Sequence, residues 1–264
     1  MTADFQTLEI RQDQEHVETV ILNRPEVSNA LNTRMGEELY AYFETLALEP
    51  GRLRCVVLTG AGEKAFCAGG DLKERRGMSI AAWSSQHLVF ERMARALVAC
   101  PVPVVAAVNG AAYGGGCEIA AACDFIYAAR RANFALTEVT LGIIPGAGGT
   151  QTLAHAVGAR RAKELIMTGK PFSAAQAHEW GLVNAVCEDD RLLEDAREAA
   201  ARIAANAPIA VRQAKLAISR GLGMPLAEGM ALEIEAYSRL VSTQDRIEGV
   251  EAFNQKRRPL FKGC

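Results

Sequence analysis

Two glycine-rich loops and two glutamates are the features of this 264-residue sequence that could carry chemistry. The segment NGAAYGGGCEIAAACD (109–124) places three glycines directly before Cys117 and Glu118, and CAGGDLK (67–73) places two before Asp71. A glycine loop that opens a helix leaves backbone N–H groups without partners, with the helix dipole behind them. Two such N–H groups that converge on one oxygen would stabilise a negative charge developing there. The alternative is that each loop is a tight turn that lets a strand and a helix pack closely.

Glu118 and Glu138 are separated by 138 − 118 = 20 residues, which hold a helix, the strand DFIYAA and a loop. That length allows the chain to return to the same place. A carboxylate within the apolar segment GGCEIAAAC is costly unless it is used or paired. Two carboxyl groups in different environments can act as general acid and base. The alternative roles for Glu118 are an ion pair with Arg130 or Arg131, or capping of its own helix.

Other common catalytic and metal-binding signatures are absent from the sequence. It contains no G-x-G-x-x-G, no G-x-x-x-x-G-K-[ST] and no G-x-S-x-G. The four histidines, His16, His87, His155 and His178, are isolated, and no C-x-x-C pair occurs among the seven cysteines. We therefore predict ordinary surface histidines, no metal site and no disulfide framework, and we expect a reducing, cytoplasmic location.

Charge and hydropathy argue against several classes of partner. Lysine and arginine number 29 against 31 aspartates and glutamates, so the net charge of −2 offers nucleic acid no basic surface. No apolar run approaches the roughly 18 residues of a membrane helix. The N-terminus MTADFQTLEIRQDQ resembles neither a signal peptide nor a transit peptide. We expect neither nucleic acid nor a membrane as a partner.

The elements around the glycine loops form a repeat. The segments VVLTG…CAGGDLK and VVAAVNG…GGGCEIA each read as a buried strand, a glycine loop and a helix, about 50 residues apart. Alternating strands and helices indicate an α/β fold. Beyond about residue 190 the pattern is almost entirely helical, with apolar faces too extensive to cover only one another. We predict a core at 1–195 that holds the site and a helical region at 196–264 that packs on the core or between subunits.

The ordered motifs AVNGAAYGGGCEIAAACDFIYAARRANFALTEVTLGIIPGAGGTQ and GAGEKAFCAGGDLKE resemble the enoyl-CoA hydratase/isomerase (crotonase) superfamily. The likeness extends from VILNRPEVSNALN to DRIEGVEAFNQKRRPLFKG, nearly the whole chain. It implies an α/β crotonase-like spiral of repeated ββα units with a helical C-terminal subdomain. It also implies a homotrimer or a dimer of trimers that binds an acyl-CoA. No separate cofactor is expected, because coenzyme A enters as part of the substrate.

The resemblance assigns roles to individual residues. Gly70 and Gly115 match the two N–H donors that hold the thioester oxygen, so the bare glycine loops would let an acyl-CoA carbonyl approach. Glu118 and Glu138 match the two acidic residues of the hydratases. The residues that match the coenzyme A channel are Val27, Ala30, Ala68, Asp71, Leu72, Lys73, Phe253 and Lys256, the last two often contributed by a neighbouring subunit. For Lys256, a solvated basic end of the chain is an equal alternative.

The implied reaction is hydration of an α,β-unsaturated acyl-CoA thioester to a 3-hydroxyacyl-CoA, as in fatty acid β-oxidation. Glu118 would activate the water and Glu138 would supply the α-proton, with both duties shared by the pair. Isomerases of the family usually keep one such acid, so two glutamates favour a hydratase. The sequence ALTE stands where GQPE is more usual in the family, and no arginine follows GTQ. These two departures leave the identity of the acyl group undetermined. The alternatives are a branched-chain hydratase of the methylglutaconyl-CoA type, an enoyl-CoA delta-isomerase, or another acyl-CoA reaction on the same fold.

Two other classes of function fit the residues less well. Paired carboxylates also hydrolyse glycosides, but aromatic residues make up only 6% of the chain, which leaves few surfaces for sugar stacking. The glycine loops would have no role in that chemistry. A non-catalytic scaffold or an RNA-binding relative would need neither the two acids nor the two loops.

Overall fold

The computed structural model describes residues 5–264, so the first four residues of the N-terminal segment and of the predicted core lie outside it. The strands of a large sheet are β1 Leu8–Gln14, β2 Val17–Leu22, β3 Cys55–Gly60, β5 Val104–Val108, β7 Phe125–Ala129 and β10 Ala185–Cys187, in the order β1-β2-β3-β5-β7-β10. The strands of a smaller sheet are β4 Ala65–Cys67, β6 Ala111–Tyr113, β8 Asn133–Ala135 and β9 Phe172–Ser173, in that order. Apart from the antiparallel pairs β1–β2 and β8–β9, neighbouring strands of the described chain are parallel.

Successive segments of the chain add one strand to each sheet. β3 leads into β4, β5 into β6 and β7 into β8. In the large sheet Val56 lies opposite Val104, a shift of 104 − 56 = 48 residues. In the small sheet Ala65 lies opposite Ala111, a shift of 111 − 65 = 46 residues. These registers confirm the predicted repeat and the predicted α/β spiral.

The helices lie between and around the sheets. Their bounds are α1 Thr33–Leu48, α2 Leu72–Arg75, α3 Ile80–Ala99, α4 Gly115–Ala122, α5 Gly149–Val157, α6 Ala159–Thr168, α7 Ala174–Glu179, α8 Leu192–Ala204, α9 Pro208–Gly221, α10 Leu226–Ser238 and α11 Gln244–Asn254. Two short 3₁₀ turns, Pro25–Val27 and Glu138–Leu141, interrupt the loops. Between residues 5 and 264, no helix combines the length and the apolar content needed to cross a membrane.

The large sheet is the centre of the core. Every residue of β3 and β5 is buried, as expected for parallel strands that are covered on both faces. Helix α8 covers one face of this sheet, contacting β2, β3, β5 and β7. The predicted boundary after residue 195 therefore lies within a helix that packs on the sheet. Helices α9 to α11 follow it, and their role in oligomerisation stays a prediction.

The two glycine loops meet where α4 packs against β4. A Cβ on Gly116 would overlap the backbone carbonyl of Cys67, so this position requires glycine for close packing. A Cβ on Gly115 would meet only Leu31 Cδ2, at 3.4 Å, and Gly70 N, at 3.9 Å. The packing explanation of the glycines therefore holds for Gly116, whereas a Cβ on Gly115 would clash with no neighbouring atom.

We expect Gly116→Ala to destabilise the fold, because the new methyl group must push α4 away from β4. Overpacking of this kind costs about 1–3 kcal/mol. The measurement is urea unfolding followed by circular dichroism, with Gly223→Ala as the matched control, since Gly223 is exposed and a Cβ there meets no atom closer than 3.9 Å. Equal midpoints for the two variants would contradict the close-packing role of Gly116.

Candidate active site

A cavity of about 890 Å³ lies where the two glycine loops meet. Its wall is formed by the loop before α2, the start of α4, the 3₁₀ turn 138–141, the segment 143–147 and one face of α3. The predicted site residues that line it are Ala68, Gly70, Leu72, Gly115, Glu118 and Glu138. Both loops and both glutamates thus face one common space.

The N–H groups of Gly70 and Gly115 are suited to bind one oxygen. Gly115 is the first residue of α4, so its N–H has no carbonyl one turn earlier in the helix. Leu31 donates to the carbonyl of Gly69 at 2.8 Å and accepts from the N–H of Asp71 at 2.9 Å, which turns the N–H of Gly70 away from Leu31. The two loops approach closely, since a Cβ on Gly115 would lie 3.9 Å from Gly70 N. The arrangement can act as an oxyanion hole.

Glu118 is held in place by the segment PGAGGTQ (145–151). Its Oε1 accepts hydrogen bonds from the backbone N–H groups of Ala147, at 2.7 Å, and Gly149, at 2.8 Å. Burial raises the pKa of Glu118, whereas these two hydrogen bonds lower it by favouring the carboxylate. The two hydrogen bonds therefore orient the carboxylate and offset part of the free-energy cost of removing it from water.

The alternative ion pair for Glu118 is wrong. Arg130 pairs with Glu188 and Arg131 with Asp189, in both cases at the far ends of β7 and β10. Neither guanidinium is left to neutralise Glu118. The partners that Glu118 does have are backbone groups more than 25 residues further along the chain.

Glu138 has fewer hydrogen-bond partners than Glu118 in the part of the chain that the structure describes. Its Oε2 is buried and has no hydrogen-bond partner within residues 5–264. Burial, assisted by repulsion from Glu118, raises the pKa of Glu138 to about 7, although attraction by Arg75 opposes the shift. Near neutral pH the carboxyl group of Glu138 is therefore divided between its protonated and ionised forms. The two acids thus differ in a way that suits one proton donor and one proton acceptor.

Val27 and Ala30, which the family resemblance matches to the adenine end of the coenzyme A channel, lie beside the cavity and outside its wall. Val27 and Ala30 are half-buried in the loop that leads to Leu31. This loop is tied to the first glycine loop, because the N–H of Ala68 donates to the carbonyl of Ser28 at 3.0 Å. Their part in coenzyme A binding stays a prediction.

The remaining predicted channel residues also lie outside the cavity wall of this chain. Asp71 caps α2, accepting a hydrogen bond from the N–H of Lys73 at 3.1 Å, and its carboxylate pairs with Arg24 at 3.0 Å. Lys73 is exposed. Phe253, which is 83% exposed, and Lys256 lie at the end of α11 on the surface. Nothing in a single chain brings these two residues to the cavity.

The side of α3 that faces the cavity carries residues that the motifs do not mark. Trp83 and His87 line the cavity one turn apart, and Gln86 is buried beside them. The expectation of an ordinary surface position is wrong for His87, because its imidazole packs against Gly146 in the cavity wall. Arg75, at the end of α2, also lines the cavity. A Gln-His pair on the buried face of an amphipathic helix is the one signal that could have indicated this face.

The titratable side chains elsewhere form no obvious second centre. Within residues 5–264, no three His, Cys, Asp or Glu side chains gather as a metal site requires. The cysteines are unpaired, and six of the seven are buried. The expectation that no cofactor is needed stays a prediction.

We expect Glu138→Gln to stabilise the protein more at pH 8 than at pH 5. The folded state keeps the proton of Glu138 up to pH about 7, whereas an unfolded glutamate releases it near its ordinary value of 4.5. Between these values the folded state binds more protons, so the contribution of Glu138 to stability falls as the pH rises. The glutamine side chain does not ionise, so the variant does not lose this stability as the pH rises. Thermal unfolding at the two pH values measures the effect, with exposed Glu63→Gln as control, and an equal shift at both would contradict the raised pKa.

Comparisons with known proteins agree over almost the full length of the chain. The family model for enoyl-CoA hydratase/isomerase matches residues 12–264. YngF of Bacillus subtilis is 47% identical over 249 residues, which cover 94% of this chain and 95% of YngF. The short-chain-enoyl-CoA hydratase of Clostridium acetobutylicum is 41% identical over 242 residues, covering 92% of each chain. The crystal structure of an enoyl-CoA hydratase from Bacillus anthracis is similar with a TM-score of 0.96 and 46% identity, over 98% of this chain and 100% of that chain. The chain therefore belongs to the enoyl-CoA hydratase/isomerase family.

Proposed function

We propose that the protein is an enoyl-CoA hydratase, which adds water across the 2,3 double bond of an α,β-unsaturated acyl-CoA to give a 3-hydroxyacyl-CoA. The observation that carries the proposal is the pair of buried glutamates with different environments beside two backbone N–H donors. The name of the similar Clostridium protein, a short-chain-enoyl-CoA hydratase, also supports it.

The oxyanion hole supplies the electrostatic part of the mechanism. Attack of water at Cβ moves negative charge onto the thioester oxygen, which accepts hydrogen bonds from the N–H groups of Gly70 and Gly115. Such donors act where charge develops, and each contributes about 2.7–4 kcal/mol to the transition state. The positive end of the α4 dipole lies behind Gly115 and adds to the same effect.

The two glutamates supply the proton transfers. Glu118, which accepts two backbone hydrogen bonds, takes a proton from the attacking water. Glu138, with a pKa of about 7, is protonated often enough at neutral pH to give a proton to Cα. Repulsion between two carboxylates favours the state with one shared proton. In the reverse direction the same pair exchanges roles, as microscopic reversibility requires.

We expect Glu118→Gln and Glu138→Gln each to lower kcat for crotonyl-CoA hydration by about 10²–10⁴, because each removes a positioned proton carrier. Binding of saturated butyryl-CoA should stay within a few-fold of the unmodified protein, since glutamine keeps the shape of the side chain. The measurements are loss of enoyl absorbance and isothermal titration calorimetry. Exposed Glu63→Gln serves as control.

Two outcomes of that experiment would reject the proposed reaction. An unaffected rate in either active-site variant would remove that glutamate from the mechanism. If the unmodified protein leaves crotonyl-CoA unchanged and converts only a 3-enoyl-CoA, the reaction is a double-bond shift, and the protein is an isomerase.

We also propose that the protein works as a homotrimer or a dimer of trimers. Helix α10 carries a stripe of exposed apolar side chains at helical spacing: Leu226, Met230, Ile234 and Tyr237 are each more than half exposed in the single chain. A second copy of the chain would cover this stripe. The same assembly would bring Phe253 and Lys256 of one subunit towards the acyl-CoA bound to another, as the family resemblance implies.

We expect light scattering after gel filtration to give three or six times the chain mass of 28.3 kDa. Ile234→Asp places a charge in the apolar stripe and should shift the protein towards smaller species. Glu235→Lys, on the opposite side of α10, is the matched control and should leave the mass unchanged. A single chain at micromolar concentration would contradict the proposed assembly.

A further inference from the structure

We propose that Arg75 selects acyl groups that carry a carboxylate. The preferred substrates of the proposed hydratase are then short 2-enoyl-CoA thioesters with an acidic acyl chain. This inference rests on the proposed function, because it concerns the substrate of that site. Its basis is a half-buried guanidinium on the cavity wall, beside Gly70, whose two outer nitrogens have no hydrogen-bond partner in residues 5–264.

The guanidinium of Arg75 is fixed by aromatic and polar contacts on one side. Its Cζ lies 4.4 Å from the ring centre of Trp83 and 5.5 Å from that of Phe90. Its Nε donates to Oε1 of Gln86 at 2.7 Å. These contacts hold the guanidinium through Nε and two aromatic rings, and they leave Nη1 and Nη2 free to bind a ligand.

Gln86 is itself held so that only its carbonyl oxygen can face Arg75. It is 4% exposed, and its Nε2 donates to Thr33 Oγ1 at 2.9 Å and to Glu74 Oε2 at 2.8 Å. Both hydrogens of the amide nitrogen are thereby used. Glu74 Oε2 also accepts from the N–H of Thr33 at 3.0 Å. Side chains from α1, α2 and α3 therefore together hold Arg75 in one orientation.

The outer nitrogens of Arg75, Nη1 and Nη2, make no hydrogen bond or ion pair with any group in residues 5–264. The acidic groups Glu74, Glu118 and Glu138 attract the arginine without forming an ion pair with it. Burial lowers the pKa of Arg75, because its charge has lost part of its water. A nearby group of opposite charge favours the charged form of such a half-buried side chain. The two free nitrogens match the two oxygens of a carboxylate.

The short distance between the Arg75 guanidinium and Gly70 favours a short acyl chain. A Cβ on Gly70 would lie 3.4 Å from both Cζ and Nη1 of Arg75. The cation is thus close to the N–H that would hold the thioester oxygen. Because a carbon–carbon bond spans only about 1.5 Å, this closeness favours a carboxylate a few bonds beyond Cβ, and the substrate tested below carries it two carbons beyond Cβ. An uncharged acyl chain would leave the cation without a partner.

Two other roles for Arg75 make different predictions. The cation could balance the charges of Glu118 and Glu138, or it could donate directly to the thioester oxygen. In both cases it would serve every acyl-CoA equally. Only a role in recognition of the acyl group makes the effect of Arg75 depend on the substrate.

The experiment compares kcat/KM for crotonyl-CoA and for 4-carboxybut-2-enoyl-CoA, which differ by the terminal carboxylate. We expect the unmodified protein to prefer the carboxylated substrate at least 10-fold. Arg75→Gln should lower this preference by about 10- to 100-fold, the range of a lost charge-assisted hydrogen bond. Arg75→Lys, which keeps the charge without the paired nitrogens, should give an intermediate value. Arg76→Gln is the matched control, because the exposed neighbour carries the same charge outside the cavity wall.

The outcomes separate this inference from the proposed function. Equal losses on both substrates, or no preference in the unmodified protein, would overturn the role of Arg75 while leaving a hydratase. Failure of the unmodified protein to hydrate either substrate would instead overturn the proposed function.

If Arg75→Gln does not fold, inhibition of the unmodified protein by glutaryl-CoA and butyryl-CoA decides the question. Tighter inhibition by glutaryl-CoA supports the inference, and equal inhibition contradicts it.

Discussion

The close approach of α4 to β4 is the constraint on which the site depends. Gly116 lies so near the carbonyl of Cys67 that no Cβ can fit between them. This contact brings the first turn of α4 beside the loop that contains Gly70. Consecutive turns of the spiral thus place two loop-to-helix junctions side by side, and each junction leaves an N–H group unpaired. The proposed oxyanion hole would thus be a consequence of how the repeats pack, and it would need no side chain.

The burial of two acids is the second constraint, because it opposes folding and, in the proposed mechanism, prepares the proton transfers. Glu118 recovers part of the lost hydration through the N–H groups of Ala147 and Gly149. Glu138 has an oxygen without such a partner within residues 5–264, and its pKa is raised to about 7. Removing water therefore affects the two carboxyl groups differently, although they share one cavity. In the proposed mechanism, stability is lost at the residue that must act as the proton donor.

Local sequence patterns and structure agree best where one short segment determines the outcome. The strand, glycine loop and helix of each repeat could be predicted, and so could the location of Glu118 in the first turn of α4. The ligands of Glu118 could not, because they come from PGAGGTQ, whose glycines gave no reason to expect a contact with a carboxylate 29 residues earlier. The hydrogen bonds that link Thr33, Gln86 and Arg75 join three helices, so no local sequence pattern could predict them. Phe253 and Lys256 are expected to contact the coenzyme A bound to a neighbouring subunit, so a single chain cannot show their role.

Arg75 and Glu138 affect each other through the electric field of the cavity, and this connects substrate choice with proton transfer. The positive charge of Arg75 lowers the pKa of Glu138. In the proposed complex, the acyl carboxylate pairs with Arg75 and cancels that influence. The pKa of Glu138 then rises, so Glu138 holds its proton at neutral pH until the enolate forms at Cα. An uncharged acyl group leaves the field of Arg75 unopposed and Glu138 more often ionised. Binding of the acidic acyl chain would therefore prepare the proton donor that the next step uses.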